Sequence, residues 1–158
     1  FKLSQHVKEN KSIKNYPVGK KIDKKAFFTI KCNIIVPAAL ELQICKEEST
    51  SLNCDMIIEA ANGPIDIEAD KILLEKKVTI IPDILANSGG VIASFMEWKQ
   101  NKNNENYSDK KINDFIYNKL NYSFKEMLKI SHEKKITYRE ACYIIALTNL
   151  EDMYMIHH

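Results

Sequence analysis

Three short runs of apolar, mostly branched residues punctuate the first half of the chain. They are Ile34-Ile35-Val36, Met56-Ile57-Ile58 and Val78-Thr79-Ile80-Ile81. The same point in each run, at Val36, Ile58 and Ile80, recurs every 22 residues. Each run is continuous rather than alternating, which suits a strand buried on both faces. Between the runs the apolar positions take helical spacing. Residues 39–52 put Leu40, Ile44 and Cys45 on one face, and residues 67–76 carry Ile67, Ile72, Leu73 and Leu74. Strands that alternate with helices of this length predict βαβ units, right-handed crossovers and a parallel sheet.

The flanks read differently. Residues 1–10 suit a helix, followed by a polar loop through Pro17 and Gly19. Residues 89–99 suit a helix with Val91, Ser94, Phe95 and Trp98 at helical spacing, the two aromatics being expected in the core. The polar stretch Asn101-Lys102-Asn103-Asn104-Glu105-Asn106 reads as a loop or a frayed end. From Ser108, a candidate N-cap, a long helix runs to about Lys134. Its apolar stripe is Ile112, Phe115, Ile116, Leu120, Phe124, Met127 and Leu128. Thr137-Tyr138-Arg139-Glu140 fits a capping box, and the helix it opens turns Ala141, Ile144, Ile145 and Thr148 inward. The expected fold class is α/β: a partial Rossmann-like parallel sheet followed by C-terminal helices.

Composition narrows the function classes. The chain has 158 residues, enough for one hydrophobic core, and its 45% hydrophobic and 28% charged content is that of a folded protein. The 23 basic residues nearly balance the 21 acidic ones, for a net charge of +2. All but Arg139 of the basic residues are lysines, and the Lys pairs are scattered, so they read as solvated surface rather than a nucleic-acid interface. Cys32, Cys45, Cys54 and Cys142 form no CxxC pair and have no His at zinc-ligand spacing. Three of the four sit in or beside apolar runs, as inert thiols do in a reducing, intracellular compartment. No apolar run is long enough for a membrane span, and no metal site is expected. The first residue is Phe1 rather than Met, so sequence is expected to precede it. His157 and His158 read as terminal or tag-derived.

The chemistry collects after the strands. In an open parallel sheet, ligands bind outside the carboxyl ends of the strands. The segments there are Pro37-Ala38-Ala39-Leu40-Glu41, Ala60-Ala61-Asn62-Gly63-Pro64 and Pro82-Asp83-Ile84-Leu85-Ala86-Asn87-Ser88-Gly89-Gly90. All three are rich in small residues, which let a flat ligand approach the backbone. Asn62-Gly63 suits a left-handed turn, and Asp66 can cap the helix that follows. Asn87-Ser88 precedes a helix whose first free N–H groups can receive an anion or a carboxamide. Asn87, Val91 and Ser94 are spaced to share one face. The pattern points to a ligand crevice and leaves the ligand open. No P-loop, GxGxxG, Ser/His/Asp or Cys/His grouping is present.

Four stretches carry a family resemblance: residues 32–41, 58–64, 81–91 and the Ser94-Phe95-Met96-Glu97-Trp98 segment. They resemble the NAD(P)-binding domain of hexameric glutamate dehydrogenases, and Arg139 to Leu147 is similar to that family's last long helix. The resemblance covers almost the whole chain, with the motifs in order. It implies reversible oxidative deamination of L-glutamate to 2-oxoglutarate and ammonia with NAD or NADP, and a homo-hexamer for the complete protein. Residues 1–100 would be the second half of the cofactor domain and 101–158 its C-terminal helical segment. The catalytic Lys and Asp, the Gly-rich pyrophosphate turn and the ribose-reading acid would all lie outside this chain, so the chain alone should be inactive.

By position, the resemblance implies that Pro37, Ala38 and Ala39 border the cofactor. Asn62 and Gly63 would lie near the nicotinamide ribose, and Asn87 would contact the nicotinamide side. Val91 and Ser94 would face the substrate, with the Ser94 hydroxyl donating to its side-chain carboxylate. Ala60 stands where the family usually has Gly, Ser88 where Ala is common and Met96 where Phe is common. The short polar stretch after Trp98 leaves no room for the animal-type regulatory insertion. Two alternatives stay open: a related branched-chain or aromatic amino-acid dehydrogenase, and a non-catalytic Rossmann-like binding module.

Overall fold

The computed structural model describes residues 2–157, without the side chain of residue 157; Phe1 and His158, and with them part of the expected first helix and of the terminal His pair, lie outside the described residues. The order is α1 (Lys2–Asn10), α2 (Lys24–Phe28), β1 (Ile34–Ile35), α3 (Lys46–Ser51), β2 (Met56–Ile58), α4 (Ile67–Glu75), β3 (Thr79–Ile81), α5 (Asp83–Ala86), α6 (Gly89–Asn103), α7 (Asp109–Lys134) and α8 (Tyr138–His157). The three strands form one parallel sheet in the order β1-β2-β3. Ile34 lies beside Met56, and Ile57 beside Ile80. The sheet and its parallel sense are those expected from the three apolar runs.

Full burial is reached on one face only: Ile57 and Ile80 are register partners, and their strand neighbours Met56, Ile58, Thr79 and Ile81 are half-buried. Ile57 and Ile80 are buried, but Ile34 and Val36 are each 52% exposed. β1 and β3 are the two edges of the sheet; β3 is packed against α8, with Ile81 on the second core, while β1 stays open. One core lies on this sheet, built from Phe28, Ile44, Leu52, Ile57, Leu73 and Ile80. A second core joins Leu85, Met127, Ala141 and Cys142, with Ile81, Leu120 and Ile145 packed against it. It fixes α7 and α8 beneath the carboxyl end of β3.

The helix expected over 39–52 is confined to α3. Leu42 has φ +52°, which breaks an α-helix. The Leu42 and Ile44 amides donate instead to the Gly63 and Pro64 carbonyls, both at 2.9 Å. Non-local backbone bonding thus displaces the local helix, and Ile44, fully buried, pairs with Ile65 as an isolated parallel bridge. The α3 carboxyl end is closed by Lys76, whose Nζ donates to the carbonyls of Ser49 (2.9 Å), Thr50 (3.1 Å) and Leu52 (2.6 Å). A lysine read as solvated surface is therefore a helix C-cap.

Other expectations hold at their caps. The Asp66 carboxylate accepts from the Ala69 amide at 2.7 Å, and Ser108 Oγ from the Lys111 amide at 3.3 Å. Glu140 closes the capping box on Thr137, at 2.8 Å to its amide. α6 runs further than expected, through Asn103, and ends on Asn104 at φ +53°. Phe95 and Trp98 are not core residues: they are 49% and 55% exposed, and the same helix turns Met96 inward instead. Thr148 is likewise exposed rather than inward. Of the α7 stripe, Met127 alone is fully enclosed, while Phe124 and Leu128 remain partly in solvent. The described cysteines are all free thiols, with Cys142 buried and the other three half-buried.

Candidate functional site

The three strand-end segments meet at the carboxyl edge of the sheet. The Pro37 carbonyl accepts from the amides of both Ala60 (3.1 Å) and Ala61 (2.8 Å), which locks the first segment to the second. Pro37 is itself buried, while Ala38 and Ala39 beside it are exposed. Ala38, Ala39, Leu40, Glu41, Ala60, Ala61 and Asn62 line an open groove of about 450 Å³. Methyl groups and backbone form most of this lining, so a planar ligand can lie close to the chain.

Gly63 has φ +49°, the left-handed turn expected of Asn62-Gly63. Asn62 and Asn87, on separate segments, meet directly: Asn87 Nδ2 donates to Asn62 Oδ1 at 2.6 Å. Each of the two amides keeps one polar group beyond this bond, an NH₂ on Asn62 and a carbonyl on Asn87. A donor and an acceptor on two amides joined by one hydrogen bond suit a primary carboxamide or a pair of ribose hydroxyls. The residues present thus fit the nicotinamide end of NAD or NADP.

The expected helix start after Asn87 differs in detail. α5 forms directly after Pro82, and the Asn87 and Ser88 amides are taken by the Asp83 (3.1 Å) and Leu85 (3.3 Å) carbonyls. Ser88 has helical angles, so these two N–H groups are not free to receive a ligand. Val91 and Ser94 both lie exposed on α6, Val91 at 74%. Ser94 Oγ donates to the Gly90 carbonyl one turn back, at 3.1 Å. Gly90 has no heavy atom within 4 Å of where a Cβ would stand, so α6 is open on the side of Gly90.

A charged cluster underlies the crevice, and sequence reasoning missed it. Glu59, the last residue before the small-residue turn, is fully buried. Its carboxylate accepts from the Asp83 amide at 2.8 Å and from both arms of Arg139, Nη1 at 3.0 Å and Nη2 at 2.9 Å. Arg139 Nη2 also reaches Asp70 at 3.0 Å, and Nη1 lies 3.5 Å from Asp83. Burial works against the Arg139 charge, but the bonds and charges of Glu59 and Asp70 outweigh it and raise its pKa further above its ordinary range. Among the described residues no buried polar side-chain atom is without a partner. The missed signal was compositional. Lysine fills every other basic position, so the one arginine marks the place where a planar fork is needed.

The described residues hold no cluster suited to a metal ion, and none of their helices is long and apolar enough to cross a membrane. Known proteins share this architecture and sequence. The NAD-specific glutamate dehydrogenase of Staphylococcus aureus is 37% identical over 126 residues, 80% of this chain and 30% of that protein. The NADP-specific glutamate dehydrogenase of Saccharolobus shibatae is 36% identical over 134 residues, 85% of this chain and 31% of that protein. The crystal structure of glutamate dehydrogenase from Peptoniphilus asaccharolyticus superimposes with a TM-score of 0.72 at 34% identity, covering 77% of this chain and 31% of that one. The chain thus spans about a third of the length of the relatives it matches. The model of the Glutamate/Leucine/Phenylalanine/Valine dehydrogenase family matches residues 1–157, and the chain belongs to that family.

Proposed function

We propose that this chain forms the nicotinamide side of the cofactor crevice in an NAD(P)-dependent amino-acid dehydrogenase that interconverts L-glutamate with 2-oxoglutarate and ammonia. Residues 1–100 then belong to the second half of the cofactor domain and residues 101–158 to its closing helices. The observation that carries the reading is the bond from Asn87 to Asn62, which itself lines the groove walled by alanines. It holds two carboxamides from different strand ends in one fixed orientation. Glutamate dehydrogenases that use NAD and NADP are both among the similar proteins, and the residues of this chain do not distinguish the two.

In this reading Ala38, Ala39 and Gly63 give close approach, while Asn62 and Asn87 fix the nicotinamide carboxamide and ribose. Pro37 acts from behind by tying the first loop to the second. When bound, the cofactor supplies the two-electron redox chemistry. Val91 covers the substrate side of the ring and limits water there. Ser94 releases the Gly90 carbonyl and donates its hydroxyl to the substrate's side-chain carboxylate. The groups that move protons at the amine lie outside this chain, and the homo-hexamer belongs to the whole protein.

The test is an assay of the full-length gene product with NAD and NADP against L-glutamate, L-leucine, L-valine and L-phenylalanine. Cofactor reduction with glutamate, and at least tenfold less with the apolar amino acids, is the expected result. Turnover of an apolar amino acid alone would move the chain to another branch of the family. No binding of either reduced cofactor would leave the binding-module alternative.

A further inference from the structure

The Asn62-Gly63 turn does not hold itself. The Gly63 amide donates to Asp83 Oδ2 at 2.8 Å, across 20 residues of sequence. The other oxygen of Asp83 accepts from the Ile84 amide, the next along the chain, also at 2.8 Å. The Asp83 backbone is fixed in turn, because its amide donates to the fully buried Glu59, and Glu59 is clamped by Arg139 from α8. A continuous path therefore runs from the start of α8 through Glu59 and Asp83 to Gly63, next to the Asn62 amide that meets Asn87. The left-handed Gly63 needs an anchor, since glycine has the least conformational restraint of any residue.

We infer that Asp83 is a positioning residue for cofactor binding: its carboxylate holds the Gly63 amide and so sets the Asn62–Asn87 pair at the geometry a nicotinamide carboxamide or its ribose requires. This inference rests on the reading of the crevice as a nicotinamide site. Because Asp83 takes the Gly63 N–H, that amide is not offered to the ligand, and recognition falls to the Asn62 and Asn87 side chains. The group acts before binding, by removing turn conformations that would have to be lost on binding. Arg139 stands as a cation beside three carboxylates, Glu59, Asp70 and Asp83, and keeps Asp83 aimed at the turn.

The experiment measures NADH and NADPH binding and steady-state kinetics of the full-length gene product in five forms. These are wild type, Asp83→Ala, Asn62→Ala and the double variant, with Asp83→Asn as a conservative rescue. Asp83→Ala is expected to raise the cofactor Kd and KM about tenfold, one hydrogen-bonded anchor's worth. The amino-acid KM should change less than twofold. Asp83→Asn keeps one acceptor for Gly63, but its NH₂ then replaces the oxygen that accepts from Ile84 and faces Arg139, so it should recover only part of the affinity, to about threefold above the wild-type Kd. Because Asp83 acts through the turn, its effect should shrink to less than twofold in the Asn62→Ala background. A role in stability alone would lower the amount of active protein and leave cofactor Kd unchanged, which overturns the inference. Full additivity with Asn62→Ala also overturns it. Where Asp83→Ala does not fold, Asp83→Ser, whose hydroxyl is too short to reach Gly63, takes its place in the cycle. Failure of the inference is a wild type that binds cofactor together with an unchanged Kd in the folded variant, Asp83→Ala or Asp83→Ser, or an additive cycle. Failure of the underlying reading is a wild type that binds neither cofactor, and the inference falls with it.

Discussion

Arg139 and Glu59, 80 residues apart in sequence, meet in a two-pronged ion pair whose N–O distances are 3.0 and 2.9 Å. The carboxylate is fully enclosed and the guanidinium side chain is 26% exposed. Desolvation of such a pair roughly cancels its attraction, so its presence is no measure of net stability. Loss of one partner is different, because the other is left buried and uncompensated.

Arg139→Met is therefore expected to destabilise the whole protein by about 3–5 kcal/mol, read from the shift of its chemical unfolding midpoint. Arg139→Lys should recover only part of this. One ammonium cannot reproduce two parallel bonds to Glu59 and a third to Asp70. Wild-type stability in Arg139→Lys would show that charge alone suffices and the fork does not matter.

Ser94 is exposed and donates only within its own helix. Ser94→Ala should leave the unfolding midpoint within about 0.5 kcal/mol of wild type. In the full-length gene product it should raise KM for glutamate about fivefold or more, by removing one hydrogen bond to the substrate carboxylate. KM for an apolar amino acid should stay constant. An equal change for both kinds of substrate would remove Ser94 from the substrate site.

Gly63 and Gly89 should respond oppositely to alanine. A Cβ on Gly63 would meet no heavy atom within 4 Å, yet its φ of +49° makes any side chain strained. Gly63→Ala should cost about 1 kcal/mol through the backbone alone. At Gly89 a Cβ would make ordinary contacts, at 3.7 Å to Ile116 and 3.8 Å to Leu120, within a helix. Gly89→Ala should be neutral or stabilise by up to about 1 kcal/mol. The comparison of the two melting temperatures decides the matter, and a greater loss at Gly89 would contradict it.

Burial pushes the Cys54 and Cys142 thiols up to about 11, because the thiolate is disfavoured there. In the unfolded chain a thiol titrates near ~8.5. The native state thus holds more protons than the unfolded state between these values. This contribution to stability is fully present below pH ~8.5 and is lost as pH rises toward 11. At pH 8 about one thiol in a thousand is ionised at each site, so both should resist iodoacetamide in the native protein and react after unfolding. Mass spectrometry of timed alkylation tests this, and rapid native labelling of Cys142 would contradict it.

The sequence by itself determined the three parallel strands, their 22-residue spacing, the caps at Asp66, Ser108 and Thr137–Glu140, and the left-handed Gly63. Each of these follows from local stereochemistry or from a continuous apolar run, and such signals lie within a few neighbouring residues. Residues 39–45 were misread as helix because bonds to residues 63–65, distant in the chain, took their place. Phe95 and Trp98 were misread as core because periodicity does not say which face of a helix meets the rest of the molecule. Only the tertiary structure decided that Glu59, Asp83 and Arg139 form one cluster, since charges carry no periodic pattern and their attraction acts across 80 residues of chain. It also decided that Asn62 meets Asn87. The strand ends bring the two amides together, and the cluster beneath holds the turn that presents them.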